Sequence, residues 1–172
     1  MADELHLWPT REDDLAIIEK LTQDPETTGE FAWFGWHHPL RWRRRWAEDR
    51  LLDDASGVLM AVLGPRPLGF VSWRRHQATV AAYYWEIGIA LLPDARGAGH
   101  GTQAQRLLAR YLFAHTTAHR IVASTEVTNQ AERRALEKAG FTAEGISRGV
   151  GWRDGRWRDG VTYSLLRTDP PA

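Results

Sequence analysis

The sequence has no cysteine among its 172 residues, and its 22 Lys and Arg residues balance 22 Asp and Glu residues. The lack of cysteine excludes disulfide bridges, thiolate zinc sites and a cysteine nucleophile. A net charge of zero argues against broad attraction to nucleic acid or to an anionic membrane. No apolar run approaches the roughly 18 residues that a membrane span needs, and the acidic start carries no signal-peptide pattern. We therefore expect a cytoplasmic protein.

A strand, a glycine-rich loop and a helix follow one another in the middle of the chain. Residues 87–92 are apolar and β-prone, and the apolar spacing of residues 102–115 predicts a core-facing helix. Between them, Gly97, Gly99 and Gly101 leave a turn with little side-chain bulk. Backbone N–H groups of such a loop, at a helix N-terminus, can point together at an anion. The pattern predicts a phosphate site, and a simple tight turn is the alternative.

Two common phosphate motifs do not fit this loop. A P-loop requires a Gly-Lys-Ser/Thr sequence, and the loop contains no lysine. A dinucleotide fingerprint requires a Gly-x-Gly-x-x-Gly spacing, whereas the glycines here are two residues apart. A phosphate site in this loop would therefore belong to another class.

The segment Arg96-Gly-Ala-Gly-His-Gly101 resembles the Arg/Gln-x-x-Gly-x-Gly/Ala loop with which GNAT acyltransferases hold the pyrophosphate of acetyl-CoA. A second segment, from Asn129 to Phe141, has the pattern Asn-x-x-x-Arg-x-x-x-x-Lys-x-Gly-Phe. That pattern resembles the downstream motif of the RimJ/RimL-type (ribosomal-protein N-acetyltransferase-like) branch of the superfamily. The two motifs occur in the family's order, and the resemblance extends over about residues 58–167.

The resemblance implies an α/β (α+β) fold of GNAT type, with a mixed, mostly antiparallel sheet of about seven strands and about four flanking helices. At this length we expect residues 1–172 to form a single domain. The family's strand before the loop splays from its neighbour and leaves a V-shaped gap for the pantetheine arm. The resemblance implies acetyl-CoA as co-substrate, no metal, and a cofactor site made of Ile89, Leu91, Arg96, Gly97, Ala98, Gly99, His100, Gly101, Thr102 and Asn129.

Asn129 has a second interpretation. In the family the corresponding asparagine bonds the pantetheine arm, but Asn129 followed by Glu132 is also a capping box for the helix that starts there. Many relatives carry a serine at the position of Glu132, and that serine protonates the leaving thiolate. Because this chain has a glutamate there, the proton donor is left unassigned.

An aromatic segment lies within residues 24–39, a long stretch that predicts a loop. Its aromatic side chains either line a pocket for the acceptor or form a lid over the core. The adjacent His37 and His38 lack an i, i+4 partner and a nearby carboxylate, so they predict no metal site. The candidate substrate-binding residues are Phe31, Trp33, Phe34 and Trp36.

Glu86 is the candidate general base, since an acid occupies this strand position in many GNAT enzymes, and an ion pair with an arginine is the alternative. The resemblance implies transfer of acetyl to a primary amine, either a protein or peptide N-terminus or a small molecule. No membrane or nucleic-acid partner is expected, and a homodimer is left open. The rival functions are a non-catalytic acyl-CoA-binding domain and an RNA-binding module that uses the Arg/Trp-rich helix of residues 40–52.

Overall fold

The computed structural model describes residues 4–170, so residues 1–3 and 171–172 of the expected domain lie outside the described part. One seven-stranded sheet has the order β1-β2-β3-β4-β5-β7-β6. All neighbours are antiparallel except β4 and β5, which are parallel. This confirms the predicted mixed, mostly antiparallel sheet. The strands are β1 (Leu5–Pro9), β2 (Ser56–Leu63), β3 (Arg66–Gln77), β4 (Tyr83–Leu91), β5 (Arg120–Glu126), β6 (Thr142–Arg153) and β7 (Arg156–Leu166).

Within residues 4–170, five α-helices accompany the sheet, where about four were predicted. The additional helix, α2, lies in the segment predicted as a loop: Pro25 occupies its first turn and Gly29, with φ +84°, ends it. Among residues 4–170, none of the helices is both long enough and apolar enough to cross a membrane. The helices are α1 (Leu15–Gln23), α2 (Pro25–Thr28), α3 (Arg41–Asp49), α4 (His100–His115) and α5 (Gln130–Lys138).

The two faces of the sheet carry separate hydrophobic clusters. On the face that we call the α4 face, α4 and α5 cover a cluster that includes Trp85 and Ile87 of β4. On the opposite face, the α1 face, α1 and α3 cover a cluster that includes Phe70, and Ala90 packs against it. Because side chains alternate along a strand, Glu86 projects to the α1 face together with Ala90.

The Arg/Trp-rich helix α3 is anchored in the core of the α1 face. Its two tryptophans pack against that cluster. The indole N–H of Trp42 donates to the Thr22 hydroxyl at 2.9 Å. Arg43 forms an ion pair with Glu19 of α1. The aromatic rings of this helix therefore serve packing, which argues against α3 as a stacking platform for nucleic acid.

Candidate functional site

The parallel strands β4 and β5 separate soon after they meet. They pair only at Trp85 with Ile121 and at Glu86 with Val122. By contrast, β4 pairs with β3 from Tyr83 through Leu91. Beyond Glu86 the β5-facing edge of β4 therefore lacks a strand partner, and a V-shaped gap opens toward the carboxyl ends of both strands. The splay implied by the resemblance is present.

The glycine loop follows β4 at the open end of this gap. Gly97 and Gly99 have φ values of +79° and +85°, a region that side chains disfavour. Gly99 is the N-cap of α4. Within residues 4–170, none of the hydrogen bonds uses an N–H group of residues 97–102 as donor. These N–H groups and the positive end of the α4 dipole therefore form a site suited to an anion.

The helix starts two residues earlier than predicted. His100 is the first residue of α4 and is half-buried, whereas the glycine motif predicted it in the loop. Gly101 lies close to the β4 side chains, since a Cβ added there would be 3.7 Å from Leu91 and 3.9 Å from Ile89. Those two predicted cofactor residues thus pack beneath the first turn of α4. Their backbone, rather than their side chains, faces the gap.

Arg96 contacts backbone carbonyls. Its Nε donates to the Leu91 carbonyl at 2.9 Å, and its Nη2 donates to the carbonyls of Thr27 and Thr28. The guanidinium therefore ties the end of α2 to the end of β4. The prediction that Arg96 binds pyrophosphate stays a prediction, and the structure adds a positioning role for this side chain.

A basic groove beside the loop was missed by the sequence analysis. A cavity of about 580 Å³ extends from Gly99 and Thr102 along α4, and its lining includes Arg106, Arg110 and Lys138. The spacing of Thr102, Arg106 and Arg110 is i, i+4, i+8, which places them on one helix face. That periodicity was visible in the sequence, but the approach of Lys138 from α5 was not.

The aromatic segment runs from α2 to the far side of the gap. The Phe31 ring lies 5.4 Å from the guanidinium carbon of Arg153. Arg153 in turn holds Glu126, at the end of β5, through two hydrogen bonds of 2.8 and 2.9 Å. Hydrogen bonding to Arg153 lowers the pKa of Glu126. Through Arg96 on one side and Arg153 on the other, the segment spans the mouth of the gap.

The remaining aromatic side chains of this segment are largely on the surface. Trp33 is half-buried and packs edge-on against Trp36, with ring centroids 4.9 Å apart. Phe34 is 64% exposed and Trp36 is 75% exposed. In the described residues, neither hydrophobic cluster includes a residue of this segment. This arrangement favours a surface for binding over a lid that completes the core.

Glu86 lies at the closed end of the gap, in the last residue pair between β4 and β5. Its Oε2 accepts from Arg74 Nε at 2.7 Å and lies 2.8 Å from His76 Nε2. The ion pair considered as the alternative is therefore present. The second carboxylate oxygen, Oε1, has no hydrogen-bond partner within residues 4–170 and is free to accept a proton. The role of Glu86 as base stays a prediction.

Only one of the two hydrogen bonds of the predicted capping box at Asn129 is present. The Asn129 side chain accepts from the Glu132 N–H at 3.3 Å and donates to the Thr125 hydroxyl at 3.0 Å. The reciprocal bond is missing, because the Asn129 N–H donates to the Glu126 carbonyl. The Glu132 side chain points instead to α4, where Gln105 donates to it at 2.8 Å. The contribution of Asn129 to pantetheine binding stays a prediction.

Burial dominates the electrostatics of Glu132. Desolvation raises its pKa, and the hydrogen bond from Gln105 opposes that rise. Gln105 is 1% exposed, and its carbonyl oxygen has no partner in the described residues. The Glu132 carboxyl and the Gln105 amide thus meet between α4 and α5, joined by the one hydrogen bond that the Gln105 N–H donates, while the Gln105 oxygen has no partner within residues 4–170. Within residues 4–170, no group of three His, Asp or Glu side chains is arranged to hold a metal ion.

Known proteins resemble this chain in sequence. Residues 4–142 match the family model described as Acetyltransferase (GNAT) domain. A probable N-acetyltransferase of Bacillus subtilis, YjcK, is 39% identical over 83 residues, which cover 48% of this chain and 46% of YjcK. A putative ribosomal N-acetyltransferase of the same organism, YdaF, is 30% identical over 129 residues, which cover 74% of this chain and 66% of YdaF. The chain thus aligns with about half of one relative and about two thirds of the other.

The fold also has a solved counterpart. The spermidine N-acetyltransferase from Vibrio cholerae, in complex with CoA and spermine, superposes with a TM-score of 0.83 over 96% of each chain. The two sequences are 19% identical, so this similarity shows the fold alone. It confirms the fold predicted from the two motifs.

We predict that Glu132→Gln stabilises the protein at neutral pH. Because the pKa of Glu132 is raised in the folded state, ionisation of this half-buried carboxyl disfavours folding as the pH rises through and above its ordinary range. A glutamine stays neutral and can donate to the unpartnered Gln105 oxygen. The expected gain at pH 7–8 is about 1–2 kcal/mol, or roughly 3–6 °C in Tm for a chain of this size.

Thermal melts between pH 4 and pH 8 check this prediction. The difference between variant and wild type should shrink toward pH 4, where the carboxyl is protonated in both the folded and the unfolded chain. Glu48→Gln, an exposed substitution on α3, is the matched control and should leave Tm unchanged. A lower Tm for Glu132→Gln at pH 7 would show that the ionised carboxylate stabilises the fold.

Proposed function

Because the chain belongs to the GNAT acetyltransferase family, we propose that it transfers an acetyl group from acetyl-CoA to a primary amine. The observation that carries the proposal is the combination of the free N–H groups of residues 97–102 at one end of the β4–β5 gap with Glu86 at the other. One end suits the cofactor's phosphates, and the other offers an oxygen that can accept a proton. The YdaF match agrees with the predicted RimJ/RimL-type branch.

Acetyl-CoA has three parts that fit this site. The pyrophosphate would accept hydrogen bonds from the N–H groups of residues 97–102, each worth about 1.5–3 kcal/mol for a charged acceptor. The ribose phosphate would lie in the basic groove of Arg106, Arg110 and Lys138. The pantetheine arm would run along the unpaired edge of β4, between Ile89 and Asn129, and would place the thioester near Glu86.

The acceptor amine would approach from the α1 face, where Glu86 projects and the aromatic segment spans the mouth of the gap. YdaF is a putative ribosomal N-acetyltransferase, and the Vibrio cholerae structure contains spermine. For this chain we propose an N-terminal amine or a small-molecule amine. Deprotonation at neutral pH costs about 1.4 kcal/mol for an α-amino group of pKa near 8, and over 4 kcal/mol for a lysine of pKa near 10.4. A modest base therefore suffices for an N-terminal amine.

The reaction would proceed by direct attack of the amine on the thioester in a ternary complex, because the chain has no cysteine to carry the acyl group. Glu86 takes one proton from the ammonium form of the acceptor, and the free amine attacks the carbonyl carbon. The C–S bond then breaks and the amide forms. The nitrogen gives up a second proton, so that one proton ends on the CoA thiol and one in solvent.

Release of CoA from acetyl-CoA in the presence of an amine panel tests the function. The panel should include peptides, polyamines and aminoglycosides. Since the chain contains no cysteine, a thiol reagent reports CoA alone. Release with at least one amine supports the proposal, whereas CoA binding without release for every amine would indicate a non-catalytic acyl-CoA-binding domain. The cytoplasmic location stays a prediction, and the homodimer stays open.

The cofactor site is tested best at the first residue of α4. His100→Glu places a negative charge at the helix N-terminus, where it stabilises the helix by about 0.3–1 kcal/mol but repels a pyrophosphate. We expect the Kd for CoA to rise roughly 10-fold or more through repulsion between close charges, while Tm without CoA stays equal or rises. Calorimetric titration and thermal melts measure both, with His100→Gln as the neutral control. An unchanged Kd would remove the loop from the cofactor site.

The acceptor site is tested on the aromatic segment. Trp33→Ala and Trp36→Ala should raise the KM for the acceptor several-fold, because they remove aromatic contact area, and should leave the Kd for CoA unchanged. Trp8→Ala is the control, since Trp8 is also exposed but lies on β1 at the far edge of the sheet. If Tm falls and the acceptor KM does not change, the segment serves stability instead.

Glu86→Gln tests the proposed base. We expect kcat/KM to fall roughly 10²-fold, the usual contribution of a general base. The loss should shrink as the pH rises, because more of the acceptor is already deprotonated. Glu144→Gln is the matched control, since Glu144 is another carboxylate that pairs with an arginine, Arg120. A loss that is constant between pH 6 and pH 9 would argue that Glu86 acts in binding or structure.

A further inference from the structure

We propose that Arg74 and His76 are positioning residues that hold Glu86 by one oxygen and present its other oxygen to the amine. This inference rests on the proposed N-acetyltransfer and on Glu86 as its base. All close contacts of the carboxylate converge on Oε2: Arg74 Nε at 2.7 Å, Arg74 Nη2 at 2.5 Å and His76 Nε2 at 2.8 Å. In the described part of the chain, Oε1 has no hydrogen-bond partner.

The pairing of β3 with β4 fixes the positions of Arg74 and His76. Arg74 lies directly opposite Glu86 in the β3–β4 ladder, and His76 lies opposite Tyr84, two residues along. Arg74 and His76 therefore project to the same face as Glu86, the α1 face. The continuous pairing from Gly69 to Gln77 holds this spacing, so it does not depend on a mobile loop.

The His76 ring is further held by Tyr84. The two rings stack nearly parallel, with centroids 5.2 Å apart and an angle of 8° between their planes. The stack fixes the plane of the imidazole, and hence the direction in which Nε2 meets the carboxylate. With Arg74 on the same oxygen, rotation of the carboxyl group about its last bond is restricted.

This arrangement sets the position of the Glu86 oxygen that would meet the amine. The Glu86 side chain is 23% exposed, so the free Oε1 stays accessible from the α1 face. General-base transfer requires the accepting oxygen within hydrogen-bond distance of the amine. A displacement of about 1 Å can lower a rate up to 10²-fold. Arg74 and His76 thus contribute to kcat through Glu86, without touching the amine themselves.

A double-mutant cycle tests this proposal in the full-length protein. His76→Leu and Arg74→Gln should each lower kcat by about 10- to 100-fold, with the acceptor KM and the Kd for CoA nearly unchanged. In a Glu86→Gln background, neither substitution should lower kcat further, because the residue that it positions has already lost its function. Arg75→Gln is the control, since Arg75 projects to the other face, over the Tyr83 ring.

The His76→Gln variant distinguishes a positioning role of His76 from proton transfer by its imidazole ring. A glutamine amide can donate to Oε2 but cannot carry a proton onward, so this variant should recover most of the activity lost in His76→Leu. If His76→Gln is as slow as His76→Leu, or if His76→Leu still lowers kcat in the Glu86→Gln background, the positioning role is wrong. If the wild type is active and the Glu86→Gln variant keeps full activity, this inference is wrong and the acetyltransferase function still holds. A wild type inactive on every amine would overturn both.

Discussion

The geometry of the proposed site depends on the short pairing between β4 and β5, which ends after two residue pairs. Two parallel strands in one sheet would normally continue their ladder, but here the ladder stops after Glu86 and Val122. The opposite edges of both strands remain fully paired, β4 with β3 and β5 with β7, so the sheet tolerates the gap. The glycine loop lies at the open end of the gap and Glu86 at its closed end. The proposed cofactor and base sites therefore lie at the two ends of the same gap.

Much of this architecture could be predicted from local pattern. The glycine spacing and the apolar periodicity that follows predicted a loop and a helix, and the structure adds that Gly97 and Gly99 adopt positive φ values. The motif from Asn129 to Phe141 predicted a capped helix. In each case a few neighbouring residues determine the geometry, because turns and helix ends are stabilised by short-range hydrogen bonds.

Side-chain partners that are distant in the chain could not be predicted. Arg96 meets carbonyls of α2, 68 and 69 residues away. Arg153 reaches both Glu126 and the Phe31 ring, contacts that depend on how β5, β6 and the aromatic segment meet. Glu132 shows the same limit: its spacing from Asn129 indicated a capping box, but burial against Gln105 directs its carboxyl elsewhere. Such pairings follow from the tertiary fold, which a local pattern does not contain.

The most direct test of the proposed mechanism follows an isotopically labelled acetyl group from acetyl-CoA to its final position. The full-length protein is incubated with labelled acetyl-CoA and with an amine that supports CoA release, and intact masses of protein and amine are measured over time. Direct attack of the amine on the thioester predicts one labelled acetyl group on the amine nitrogen and an unchanged protein mass at every time. A labelled protein that forms before the product, or an amine that never gains the label, would contradict it.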